Sequence, residues 1–136
     1  MPKPKIRHLA LFAGDPEKVA KFYQDVFEME LVHHNAGSQA YFLSDGYITL
    51  AVLPHTAEGS STRGLNHFGW KVESNAEIGK KLDGAGLPGP KKRPADRPYA
   101  EQRAVDPEGN MFDISEHGFE RVESPKDREK QAVGVN

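Results

Sequence analysis

Cysteine is absent from the 136 residues. That excludes a disulfide scaffold, thiolate metal sites and cysteine nucleophiles, and it leaves nitrogen and oxygen groups to carry any chemistry. Long apolar runs are missing too. None approaches the ~20 residues a membrane-spanning helix needs, and the opening segment MPKPKIRH has no apolar core of a signal peptide, so a cytoplasmic protein without membrane contact is expected. Charge of one sign is also lacking: Lys and Arg are scattered and the formal net charge is −2, which gives no basic stripe for nucleic acid. The length suits a single domain at about residues 1–122, followed by a polar tail at 123–136.

What is present is a repeated pattern. Residues 6–22, IRHLALFAGDPEKVAKF, align in kind with residues 65–81, LNHFGWKVESNAEIGKK: His8 falls on His67, Asp15 on Ser74 and Val19 on Ile78. Each copy opens as an alternating, strand-like run and continues into a capped helix. Asp15-Pro16 supplies an N-cap and a first-turn proline, followed by a stripe of Val19, Phe22, Tyr23, Val26 and Phe27. Ser74 and Glu77 form a capping box for a helix with Ile78 and Leu82.

Strand-like runs ELVHH, AYFLS and YITLAVL follow the first helix, with a hairpin signal at SDG. After the second come KKRPADRPY, whose proline and charge favour a loop over a strand, then EQRAV and NMFDIS joined by a DPEG turn. The fold class expected is therefore α+β: two tandem βαβββ modules, about 5–54 and 65–117, separated by a linker at 55–64. Neither half buries its sheet alone, so their mixed sheets are expected to form a cup around a shared central site.

Strand parity selects the inward side chains. If Leu9 and Leu11 face the first helix, His8 points the other way; if Phe68, Trp70 and Val72 face the second helix, so does His67. On the final strand the same reasoning sends Met111, Asp113 and Ser115 inward. Two imidazoles and a carboxylate suit one divalent metal ion, Fe, Mn, Ni, Co or Zn, with coordination positions left open. The carboxylate is Asp113 or, if a bulge intervenes, Glu116. Lys71 shares the parity of His67, and Arg103 lies on the strand before the DPEG turn; either could bind an anionic substrate oxygen, or be a solvated rim charge. His33, His34, Tyr41, Tyr99 and His117 are of types that assist such chemistry, but the sequence does not place them.

The segments IRHLALFAGDPEKVAKFYQDVFEMEL, LSDGYITL, LNHFGWKV and DPEGNMFDI, within about residues 5–117, resemble the vicinal oxygen chelate superfamily. That superfamily includes glyoxalase I, bleomycin and fosfomycin resistance proteins, extradiol dioxygenases and methylmalonyl-CoA epimerase. The resemblance implies paired βαβββ modules around a divalent metal, a homodimer and a small-molecule substrate. It implies that His8 and His67 are ligands and that Asp113 stands where the family has a longer glutamate. A fourth family ligand position falls at Thr49 or Leu50, neither of which replaces Glu or Gln. The functional reading is a metal-dependent enzyme of the glyoxalase or extradiol dioxygenase type, with dioxygenase or lyase/isomerase chemistry on two adjacent substrate oxygens. The alternatives are a non-enzymatic, bleomycin-resistance-like sequestering protein and a metal-free dimerisation module with its cup filled by Phe12, Tyr41 and Met111.

Overall fold

The computed structural model describes residues 3–59, 62–94 and 100–118. Among them the element order is β1 (Lys5–Ala13), α1 (Pro16–Phe27), β2 (Glu30–His33), β3 (Tyr41–Ser44), β4 (Thr49–Pro54), β5 (Gly64–Lys71), α2 (Asn75–Gly84), β6 (Lys91–Lys92), β7 (Gln102–Val105) and β8 (Met111–Ser115). The class is mixed α and β, with both parallel and antiparallel strand pairs. The expected tail and Tyr99 lie outside the described residues. The described residues group into two compact units, one within 8–66 and one joining 3–7 with those within 67–118. The division falls within β1 and within β5.

In the first unit the strands run β2-β3-β4-β1, with β1 parallel to β4 and the other neighbours antiparallel. The Asp15 carboxylate caps α1 by accepting from the Lys18 amide at 3.1 Å, and Pro16 begins the helix where its missing N–H costs nothing. Glu28 then ends the helix in the left-handed region at φ 57°. Ala20 of the helix packs with Ala13, Leu43 and Val52, and Val19, Tyr23, Leu31, Tyr41 and Leu50 complete this core. Leu9 pairs with Leu50 and Leu11 with Val52, so they share the face that α1 covers, while His8, Ala10 and Phe12 take the opposite face. Of the five-residue apolar stripe of α1, Phe22, Val26 and Phe27 are half exposed or more.

In the second unit the order is β5-β8-β7-β6, again with one parallel pair, β5 with β8. Ser74 caps α2 through its hydroxyl, which accepts from the Glu77 amide at 3.1 Å. A short strand, β6, stands where a loop was expected; Lys91 and Lys92 pair with Arg103 and Gln102, and the Arg93 amide extends the ladder to the Glu101 carbonyl. Two residues with alternating faces are enough for an edge strand, and lysine is common there because its charge discourages further pairing. The β7–β8 turn is held by the Asp106 carboxylate, which accepts from the amides of Glu108 and Asn110 and from the Asn110 side chain, and by Gly109 at φ 86°. Those bonds hold the Asp106 carboxyl below its usual range, the Asn110 side-chain bond foremost.

Candidate functional site

The second unit gathers a charged group on the side of its sheet that carries Asp113. Asp113 on β8 is registered with Gly69 on β5 and with Arg103 on β7. His67 lies two residues before Gly69 and so shares its face, and the glycine puts no side chain beside it. His67 is 6% exposed and Asp113 1% exposed. Isolated charge at that depth is costly, and it is neutralised here by a near neighbour.

That neighbour is Arg103. Its Nε donates to Asp113 Oδ1 at 2.6 Å and its Nη2 to Oδ2 at 3.2 Å, a two-pronged fork on one carboxylate. The same Nη2 lies 3.1 Å from His67 Nε2, and His67 Nε2 lies 3.2 Å from Asp113 Oδ2. A guanidinium has no acceptor, so its contact with Nε2 is a hydrogen bond only while that nitrogen keeps its lone pair. Protonated, Nε2 would instead donate to Asp113. One atom cannot do both, so His67 chooses between the cation and the anion of a neutral pair.

His8 belongs to the first unit, where it is 3% exposed on β1 beside Thr49, itself fully buried. Of the two positions considered for a fourth ligand, Thr49 shares the face of His8, whereas Leu50 joins the core under α1. Only a hydroxyl is offered there. Glu116, the alternative carboxylate, is exposed and turned to α2: its Oε2 accepts from the Asn75 amide at 2.8 Å. Lys71 donates to the Glu116 carbonyl at 2.9 Å. Ser115, expected inward, donates to Glu101 and accepts from the amides of His117 and Gly118, which ties down the end of β8.

The remaining candidates have local roles. His34 stacks on Tyr41 with ring centroids 4.0 Å apart and bonds the Ala40 carbonyl through Nδ1, while His33 tilts against Phe42. Desolvation by burial, then the charges of Glu17 and Asp15, push the Tyr41 hydroxyl above its ordinary pKa. The ion pair between Arg103 and Asp113 was not anticipated, although pairing QRAV with MFDIS across the DPEG turn sets those two residues opposite one another.

Two ring nitrogens and a carboxylate oxygen are the right donor types for a first-row divalent ion. His67 and Asp113 fit that chemistry, and Arg103, which donates to both carboxylate oxygens and touches His67 Nε2, competes with an ion for those atoms.

A sequence model of the Glyoxalase/Bleomycin resistance protein/Dioxygenase superfamily matches residues 5–114. No curated protein matches. Among solved structures, a hypothetical protein from Bacillus halodurans C-125 is 16% identical at a TM-score of 0.65, covering 83% of this chain and 94% of that one. A methylmalonyl-CoA epimerase from Streptomyces coelicolor, solved with 2-nitronate-propionyl-CoA, is 15% identical at 0.59, covering 81% and 94%. A catechol 2,3-dioxygenase is 19% identical at 0.60; the match takes in 82% of this chain but 41% of that one. At these identities the structures establish a shared fold, and the match over residues 5–114 establishes descent: the chain belongs to the glyoxalase/bleomycin resistance protein/dioxygenase superfamily.

Proposed function

We propose that this chain is a metal-dependent enzyme that binds two adjacent oxygens of a small substrate on one divalent ion held by His8, His67 and Asp113. The observation that carries the reading is the buried imidazole–carboxylate pair of His67 and Asp113, a costly arrangement for a sheet to keep without a use. The third donor in this reading is His8, buried on β1 at the position the sequence repeat matches to His67. When bound, such an ion supplies Lewis-acid polarisation of the substrate oxygens.

The chain's own residues do the rest. His67 contributes the Nε2 lone pair, and Asp113 contributes the single negative charge. Arg103 gives up its fork on Asp113 and becomes a cation beside the site, suited to an oxygen gathering negative charge. Three protein donors leave open positions for substrate, and Thr49 adds no carboxylate base near His8. This favours dioxygenase or lyase/isomerase chemistry in which the proton acceptor is not a metal-bound glutamate.

The test is metal analysis of protein purified without chelator, followed by titration with Mn(II), Zn(II), Ni(II) and anaerobic Fe(II). The reading expects about one ion per chain, lost in a His67→Ala, Asp113→Asn variant. No bound ion and no uptake refutes it. A second reading, sequestration without metal, draws support from Arg103, whose fork on Asp113 neutralises the carboxylate by itself. It wins if ligand binding persists in a His8→Ala, His67→Ala variant of a protein that takes up no metal.

A further inference from the structure

β6, β7 and β8 wall a cavity of about 400 Å³ whose lining includes Lys91, Lys92, Arg93 and Arg103 together with apolar Val105 and Met111. No acidic residue lines it among the described residues. The strand register sharpens this. Asp113, Arg103 and Lys91 are successive cross-strand partners, so one negative charge is followed by two positive ones in a row on the same face. Like charges directly opposite one another destabilise a strand pair. Both oxygens of Asp113 are taken by Arg103, and among the described residues Lys91 and Lys92 make no ion pair. Lys91 and Lys92, with no carboxylate partner among the described residues, stand beside an apolar floor, a complement to one ligand class.

We infer that this cavity binds an amphiphilic anion: a small molecule with a carboxylate or phosphate at one end and an apolar body. The head lies between Lys91 and Arg103, where its charge relieves their repulsion, and the body covers Val105 and Met111. Because Arg103 also grips Asp113, the ligand's charged end sits one residue across the sheet from the proposed metal donor. The inference rests on the enzyme reading for its meaning, since it names the charge of the substrate, and it shares only Arg103 with the side chains assigned there.

The experiment is calorimetric titration of the full chain with octanoate, octyl phosphate and, as the neutral control, octanol. The expected result is binding of one or both anions, with octanol at least about tenfold weaker and the anions weakened by added salt. The two anions distinguish a carboxylate from a phosphate head. A Lys91→Gln, Lys92→Gln variant, altered only at exposed side chains, should lose about five- to tenfold in anion affinity. Equal binding of octanol, no binding of either anion, or unchanged affinity in the variant overturns the inference. Unchanged affinity accompanied by new self-association would show that the lysines only protect the sheet edge. Metal uptake measured on the same samples separates the two ideas: absent uptake with intact anion binding refutes the enzyme reading alone, and normal uptake without anion binding refutes this inference alone.

Discussion

Replacing Arg103 with methionine removes the guanidinium while keeping much of the side chain's length and apolar stem. Asp113 is then left 1% exposed with neither prong of its fork. Breaking a buried pair by deleting one partner costs about 3–5 kcal/mol, or roughly 10–20 °C of melting temperature in a chain of this size. If a divalent ion binds the same lone pairs, that cost falls mainly on the metal-free protein, because the ion replaces the lost cation. The cycle then requires the variant to bind metal more tightly by up to the same amount. At 1.4 kcal/mol per tenfold, 3 kcal/mol corresponds to about 150-fold. Urea unfolding with and without saturating Mn(II), together with calorimetric Mn(II) titration, measures both arms. Arg103→Lys serves as the control, since it keeps the charge and loses the fork. A variant that is destabilised yet binds Mn(II) no more tightly than the parent would refute the idea that guanidinium and metal compete for one donor set.

Other outcomes follow from the same structure. Leu43→Ala, at a fully buried position under α1, should cost 2–5 kcal/mol by roughly the usual cavity scale, whereas Phe27→Ala, 64% exposed, should cost less than about 1 kcal/mol; denaturant melts compare them. Asp106 has a folded pKa below its ordinary 3.8, so the fold favours its ionised form; the stability it adds is complete above the unfolded value and is lost as pH falls through the folded one. Asp106→Asn should therefore flatten the loss of stability on acidification below about pH 4, as read by urea melts at stepped pH. Gly109→Ala forces a side chain into φ 86° and should destabilise the β7–β8 turn by about 1 kcal/mol, without changing the donor residues.

Local chemistry made much of this fold legible. The N-caps at Asp15 and Ser74, the turn at Asp106 and the alternation of Leu9 and Leu11 each follow from forces acting within a few residues, and each appears as read. The errors lie where distant neighbours decide. Phe22, Val26 and Phe27 have the periodicity of a core stripe, yet nothing in periodicity says how broad a sheet the helix will meet. β6 was hidden because prolines and charges outweigh two pairing residues in any local count. At the site, residue types and parity singled out His67 and Asp113, and the repeat singled out His8. On its own strand Arg103 reads as a cation for a substrate oxygen or for solvent. Its engagement with Asp113 is a property of register, which no single strand contains.

The five-residue span from Asp106 to Asn110 therefore does more than reverse the chain. Strand side chains alternate with a period of two, so lengthening or shortening this corner by one residue would roll β7 over and carry the guanidinium to the far surface, abandoning the acid behind it. Insertions here should be far more damaging than an exposed bend suggests, because the corner acts as the spacer that sets electrical neutrality several residues away.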